Sequence, residues 1–119
     1  MPNRLMLILL AAVCVVSCGG SSTAPDSAPA GSTTVTIVSG ASALSNTAFS
    51  PNPISISVGT TVSWLNSDST THTSTSDGGA WNSSNLAPGR RFNFTFTTAG
   101  AFPYHCTVHP NMIGTINVQ

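Results

Sequence analysis

From Thr34 onward the chain alternates apolar and polar residues over short runs. ISISV places Ile54, Ile56 and Val58 on one face, TVSWL does the same with Val62 and Trp64, and RFNFTF points Phe92, Phe94 and Phe96 inward with Asn93 and Thr95 outward. A period of two sustained over five or six residues predicts half-buried strands. The runs are separated by turn formers: Gly59 with Thr60, SDGG from Ser76 to Gly79, Pro88 with Gly89, and TAG ending at Gly100. No segment keeps a helical period beyond two turns. VTIV, ISISV, TVSWL, the His72 region, a weak strand near Trp81 to Leu86, RFNFTF, AFPYHC and TINV together predict seven or eight strands. So many strands in so short a chain fit an all-β, two-sheet Greek-key sandwich over residues 34–119, with the phenylalanines and Trp64 in its core.

The first third has a different texture. Arg4 is followed by an apolar run from Leu5 to Val16, too short to cross a bilayer, which reads as an export signal over residues 1–17. Its end, VVSC, resembles the bacterial lipobox, and by that resemblance Cys18 becomes the lipidated first residue of the mature protein, held to a membrane in the cell envelope. Residues 18–33 contain only small, polar and proline side chains after Cys18, and they read as a flexible tether spanning on the order of 20 Å. In a bacterial protein the sequons at Asn82 and Asn93 carry no glycan.

Composition narrows the choice of partners. Beyond the signal, the charged side chains are Arg90, Arg91, Asp26, Asp68 and Asp77. Nucleic acid is excluded as a partner on that balance, and electrostatic steering of any partner is weak. Cys14 leaves with the signal and Cys18 carries lipid, so Cys106 is the one thiol left in an oxidising compartment.

That thiol sits in YHCTVHPNM, residues 104–112. The strand period puts Phe102, Tyr104 and Cys106 on one face and His105 on the other. After Cys106, His109 and Met112 follow at steps of three, a spacing at which a tight turn aims all three side chains at one point. Thiolate, imidazole and thioether form a soft donor set that suits copper far better than calcium or magnesium. With His105 facing away, the remaining histidine, His72, supplies a fourth donor, giving two histidines, a cysteine and a weak axial methionine.

The domain resembles the cupredoxins, near the plastocyanin, pseudoazurin and amicyanin group. FSPNPISISVGTTVSWLNSD is similar to the family's stretch before its first histidine, LAPGRRFNFTFTTAGAFPYHC to the run into its cysteine, and YHCTVHPNMIG to the short amicyanin copper loop. The resemblance implies one copper ion cycling between Cu(I) and Cu(II), held by His72, Cys106, His109 and Met112. It also implies an exported one-electron carrier, expected as a monomer, whose redox protein partners dock near His109. Two departures are visible: Val108 stands where many relatives have proline, and Thr73 and Thr107 stand where plastocyanins often link an asparagine to the residue after the cysteine. The rival functions are copper delivery in the envelope through the same four residues, and a metal-free adhesive sandwich with Cys106 merely buried. The methionine argues against a zinc site, and nothing in the sequence supplies the base and oxyanion site of a thiol hydrolase, so an enzyme is not expected.

Overall fold

The computed structural model describes residues 26–119. The signal at 1–17, Cys18 and the tether up to residue 25 lie outside the described residues. Eight strands follow in order: β1 Thr33–Ile37, β2 Phe49–Ser50, β3 Ile54–Ile56, β4 Thr61–Asn66, β5 Thr75–Ser76, β6 Arg91–Thr95, β7 Gly100–His105 and β8 Ile113–Val118. One sheet runs β2-β1-β4-β6 and the other β3-β8-β7-β5. β1 pairs β4 in parallel, and β3 pairs β8 in parallel, while the remaining pairs are antiparallel. None of the described helices is long and apolar enough to cross a membrane.

The alternating runs bury as the period requires. Val35, Ile37, Val62, Trp64, Tyr104, Ile116 and Val118 fill the space between the sheets. Trp64 is the hub, with Trp81, Tyr104 and Phe92 ring centroids 5.4, 5.6 and 5.9 Å away.

Several details depart from the pattern. β3 ends at Ile56, and Val58 falls in the following turn with 49% of its surface exposed. β6 is an edge strand, so Phe92 and Phe94 are only half-buried and Phe96, just past its end, is the one sealed inside. Residues 81–86 form no strand: only Asn82 and Leu86 make isolated bridges, to Thr75 and His72. Phe49–Ser50, two residues long, pairs with β1 and carries too short a pattern to be read from sequence. Midway along the segment expected as a tether, Asp26 is hydrogen-bonded to Gly89 and Arg91.

Candidate metal centre

Cys106 directly follows β7, and the chain then turns through Thr107–Asn111 into β8. The Cys106 N–H donates to the Met112 carbonyl (3.1 Å) and the Met112 N–H to the His109 carbonyl (2.9 Å), closing the loop on itself. Cys106 and Met112 are fully buried, while His109 is partly exposed. The Asn111 amide ties the loop outward to the carbonyls of Ser42, in the short 3-10 turn Ala41–Ala43, and of Leu44, which follows it, 3.3 and 3.2 Å away.

His72 arrives from the segment between β4 and β5. Its backbone exchanges two hydrogen bonds with Leu86, at 3.2 and 2.8 Å. Two residues on, the Ser74 hydroxyl accepts from the Trp81 indole at 2.9 Å, anchoring this segment to the core. β5 then pairs with β7, Thr75 opposite His105, which brings residues 72–76 alongside Cys106.

The result is one cluster. His72 Nδ1 lies 3.1 Å from His109 Nδ1 and 3.8 Å from Cys106 Sγ, and one ligand atom from each of the three residues lies within 4.8 Å of the others. Metal–nitrogen and metal–sulfur bonds of roughly 2.0–2.3 Å can bridge such gaps.

The chemistry of His72 follows from a neighbour that sequence reasoning missed. His72 Nε2 is 2.7 Å from Asp68 Oδ2 and 3.1 Å from the Thr70 hydroxyl. The His72 hydrogen bond, reinforced by the Gly40 N–H at 3.0 Å, holds the Asp68 carboxyl well below the usual carboxylate range despite its burial. An ionised carboxylate only accepts, so His72 Nε2 carries the proton and its Nδ1 presents a lone pair to the cluster. The i, i+4 spacing of Asp68 and His72 in DSTTH was the available signal.

The threonine substitution is also resolved. Thr73 Oγ1 accepts the Thr107 N–H at 2.9 Å and lies 3.1 Å from the Thr107 hydroxyl. The Thr73 N–H donates to Cys106 Sγ at 3.2 Å. Hydroxyls thus join the two ligand segments where relatives were expected to use an amide. His105 faces away as the period predicts, with Nδ1 2.6 Å from Asp77 Oδ1.

A family model, Cupredoxin-like domain, matches residues 6–118. Amicyanin from Paracoccus denitrificans is 33% identical over 69 residues, which are 54% of this chain and 53% of that protein. The chain thus spans about half the length of the curated relative it matches. Among solved structures, a purple cupredoxin from Nitrosopumilus maritimus superposes with a TM-score of 0.68 at 33% identity, covering 73% of this chain and 99% of the other. A copper-containing nitrite reductase from Thermus scotoductus SA-01 superposes with a TM-score of 0.62 at 29% identity, over 74% of this chain but only 22% of the reductase. The donor set fits copper on its own chemistry: two imidazoles and a thiol whose ligand atoms lie within 4.8 Å, with a buried thioether in the same loop.

Proposed function

The chain belongs to the cupredoxin-like family, and from that premise we propose that it is a one-electron carrier of the bacterial cell envelope, holding copper through His72, Cys106, His109 and Met112. The convergence of His72 Nδ1, His109 Nδ1 and Cys106 Sγ carries the reading. Bound copper would supply the one-electron valence change, and the side chains do the rest. Asp68 fixes the tautomer and angle of His72, so that nitrogen is set before metal arrives. The Thr73 N–H donates to the sulfur and withdraws electron density from it, one of the levers that set a reduction potential. The bond from Thr107 to Thr73 stops the two ligand segments from drifting apart when the charge changes. A site that moves little on changing valence exchanges electrons quickly.

His109 is the donor with an exposed edge, beside the exposed Val108, Pro110 and Asn111, and is the proposed port for electrons. The lipobox-like VVSC supports attachment of the carrier to a membrane through Cys18. The nitrite reductase likeness spans a minor part of that enzyme, and a carrier without substrate turnover is the reading proposed. Titration with Cu(II), followed by visible absorption and electron paramagnetic resonance, tests the site. An intense thiolate-to-copper band is expected at one equivalent, and its survival in Cys106→Ala would refute the ligand assignment.

A further inference from the structure

Asp26 is held at one particular end of the sandwich. Its N–H donates to the Gly89 carbonyl at 3.1 Å, its carboxylate accepts from the Arg91 N–H and pairs with Arg90 Nε, both at 3.2 Å, and its carbonyl accepts from Arg91 Nε. The Arg91 guanidinium also reaches the Ser63 and Thr34 hydroxyls, 3.0 and 3.4 Å away, which covers Ser63 on the outer face of the first sheet. Arg90 and Arg91 are the only arginines in residues 26–119, which have no lysine, and both engage this one aspartate.

That end is the metal end. The Gly89 N–H donates to the Asn66 carbonyl at 2.7 Å, the Asn66 amide donates to the Leu86 carbonyl at 2.8 Å, and Leu86 is bonded to His72. From Asp26 the chain runs away from the site, because β1 is parallel to β4 with Thr33 beside Val62 and Ile37 beside Asn66. Thr33 is therefore at the far end, and Asp26, the first of the described residues, lies at the metal end. Cys18 and Asp26 are eight residues apart, a reach of at most about 28 Å, against about 50 Å if the domain were released only at Thr33.

Apart from that clamp, the surface around His109 is uncharged and largely apolar. Val108 and Ile113 are 48% and 46% exposed, and Pro110 and Asn111 beside them are uncharged. The three aspartates each pair with a neighbour in the domain, Asp68 with His72 in the interior, and Asp26 with Arg90 and Asp77 with His105 at the surface. Such a face cannot steer a distant partner by charge. A short tether replaces steering by raising the effective concentration of anything held at the same surface. We infer that the Asp26 clamp turns the His109 face toward the membrane that holds Cys18, and that its redox partner is a protein bound in that membrane. Copper held by His72, Cys106, His109 and Met112 would supply the one-electron couple, its Cu(I) to Cu(II) oxidation balanced by one-electron reduction of the membrane protein, or the reverse. This inference rests on the reading of Cys18 as a lipid anchor.

The mass of the N-terminal peptide of the full-length protein is read first, and an unmodified Cys18 overturns anchor and inference together. On phosphatidylcholine vesicles with dye-labelled headgroups, a donor dye is placed at Ser42→Cys, beside the metal loop, or at Val58→Cys, at the far end. Higher energy transfer from position 42 is expected, with that difference reduced in Asp26→Ala, which loses the carboxylate's contacts with Arg90 and Arg91 and whose fold is checked by circular dichroism. Equal or higher transfer from position 58 in lipidated protein overturns the inference alone. Carbonate-washed membranes of the source organism should exchange electrons with the lipidated carrier on the order of 100-fold faster than with Cys18→Ser protein added from solution. Exchange that returns only with the washed-off soluble fraction overturns the assignment of the partner.

Discussion

Gly114→Ala should damage the fold and the metal centre together, and the size of the damage can be worked from contacts. Gly114 opposes Tyr104 across β7 and β8. A Cβ at position 114 would lie 2.4 Å from Tyr104 Cζ, 2.6 Å from its hydroxyl oxygen and 2.7 Å from Cε1. Ordinary carbon contacts need about 3.5–4.0 Å, so the ring must move by about 1 Å. It has little room to do so: Tyr104 is 1% exposed, with the rings of Phe49, Trp64 and Trp81 at 4.7, 5.6 and 5.8 Å. Overpacking of this kind costs about 1–3 kcal/mol, and the enclosure argues for the upper end. At about 3 kcal/mol the folding equilibrium falls roughly 150-fold.

The assay is urea unfolding of the apo domain by tryptophan fluorescence and circular dichroism, with a lowered midpoint and unchanged slope expected. Because Tyr104 precedes Cys106 by two residues and Gly114 follows Met112 by two, the same displacement should weaken the thiolate-to-copper band. Tyr104→Leu removes the clashing ring atoms, so in a double-mutant cycle with Gly114→Ala the two costs should fall short of additive by at least about 1 kcal/mol. A Gly114→Ala midpoint equal to wild type, or strict additivity, would refute the steric argument.

Three further outcomes follow from the same contacts. Burial pushes the Tyr104 hydroxyl far up from its ordinary value, with the Trp64 indole weakly opposing; the two groups fall short of hydrogen-bond geometry, and both atoms are buried without a partner. As the chain's single tyrosine, it should show no phenolate absorbance in the native protein near its usual pKa of about 10, and stability should fall above that pH because the unfolded chain ionises first; a native titration near 10 would contradict this. Asp68 is depressed instead, chiefly by His72 and then by the Gly40 N–H, so its contribution is complete above about pH 4 and is lost as the pH falls further. Asp68→Asn should cost about 2 kcal/mol at neutral pH and flatten the acid limb of the stability profile, checked by unfolding at several pH values. Thr73→Val leaves the Thr107 N–H without its acceptor, which should cost about 1–2 kcal/mol and speed copper loss to a chelator, while Thr73→Ser should restore both.

What the sequence made legible was local. A period of two marks a strand within five residues, and donors at steps of three within one loop mark a site without knowledge of the rest of the fold. His72 was reachable because few imidazoles were available and one was excluded by its face. What stayed hidden depends on distant residues meeting: Phe49–Ser50 became a strand only because β1 offers its edge, and residues 81–86 failed to become one because they serve as ties for Ser74 and His72. The pairing of the charges belongs to the same class. Composition shows three carboxylates and says nothing of their destinations, yet each destination has a distinct consequence. Asp68 fixes a ligand's tautomer, Asp77 holds His105 on the face away from the thiol, and Asp26 ties its segment to Gly89, Arg90 and Arg91. With the aspartates paired within the domain, the proposed docking face around His109 would recognise a partner chiefly through apolar contact, and under the proposed lipid anchor proximity would come from the tether.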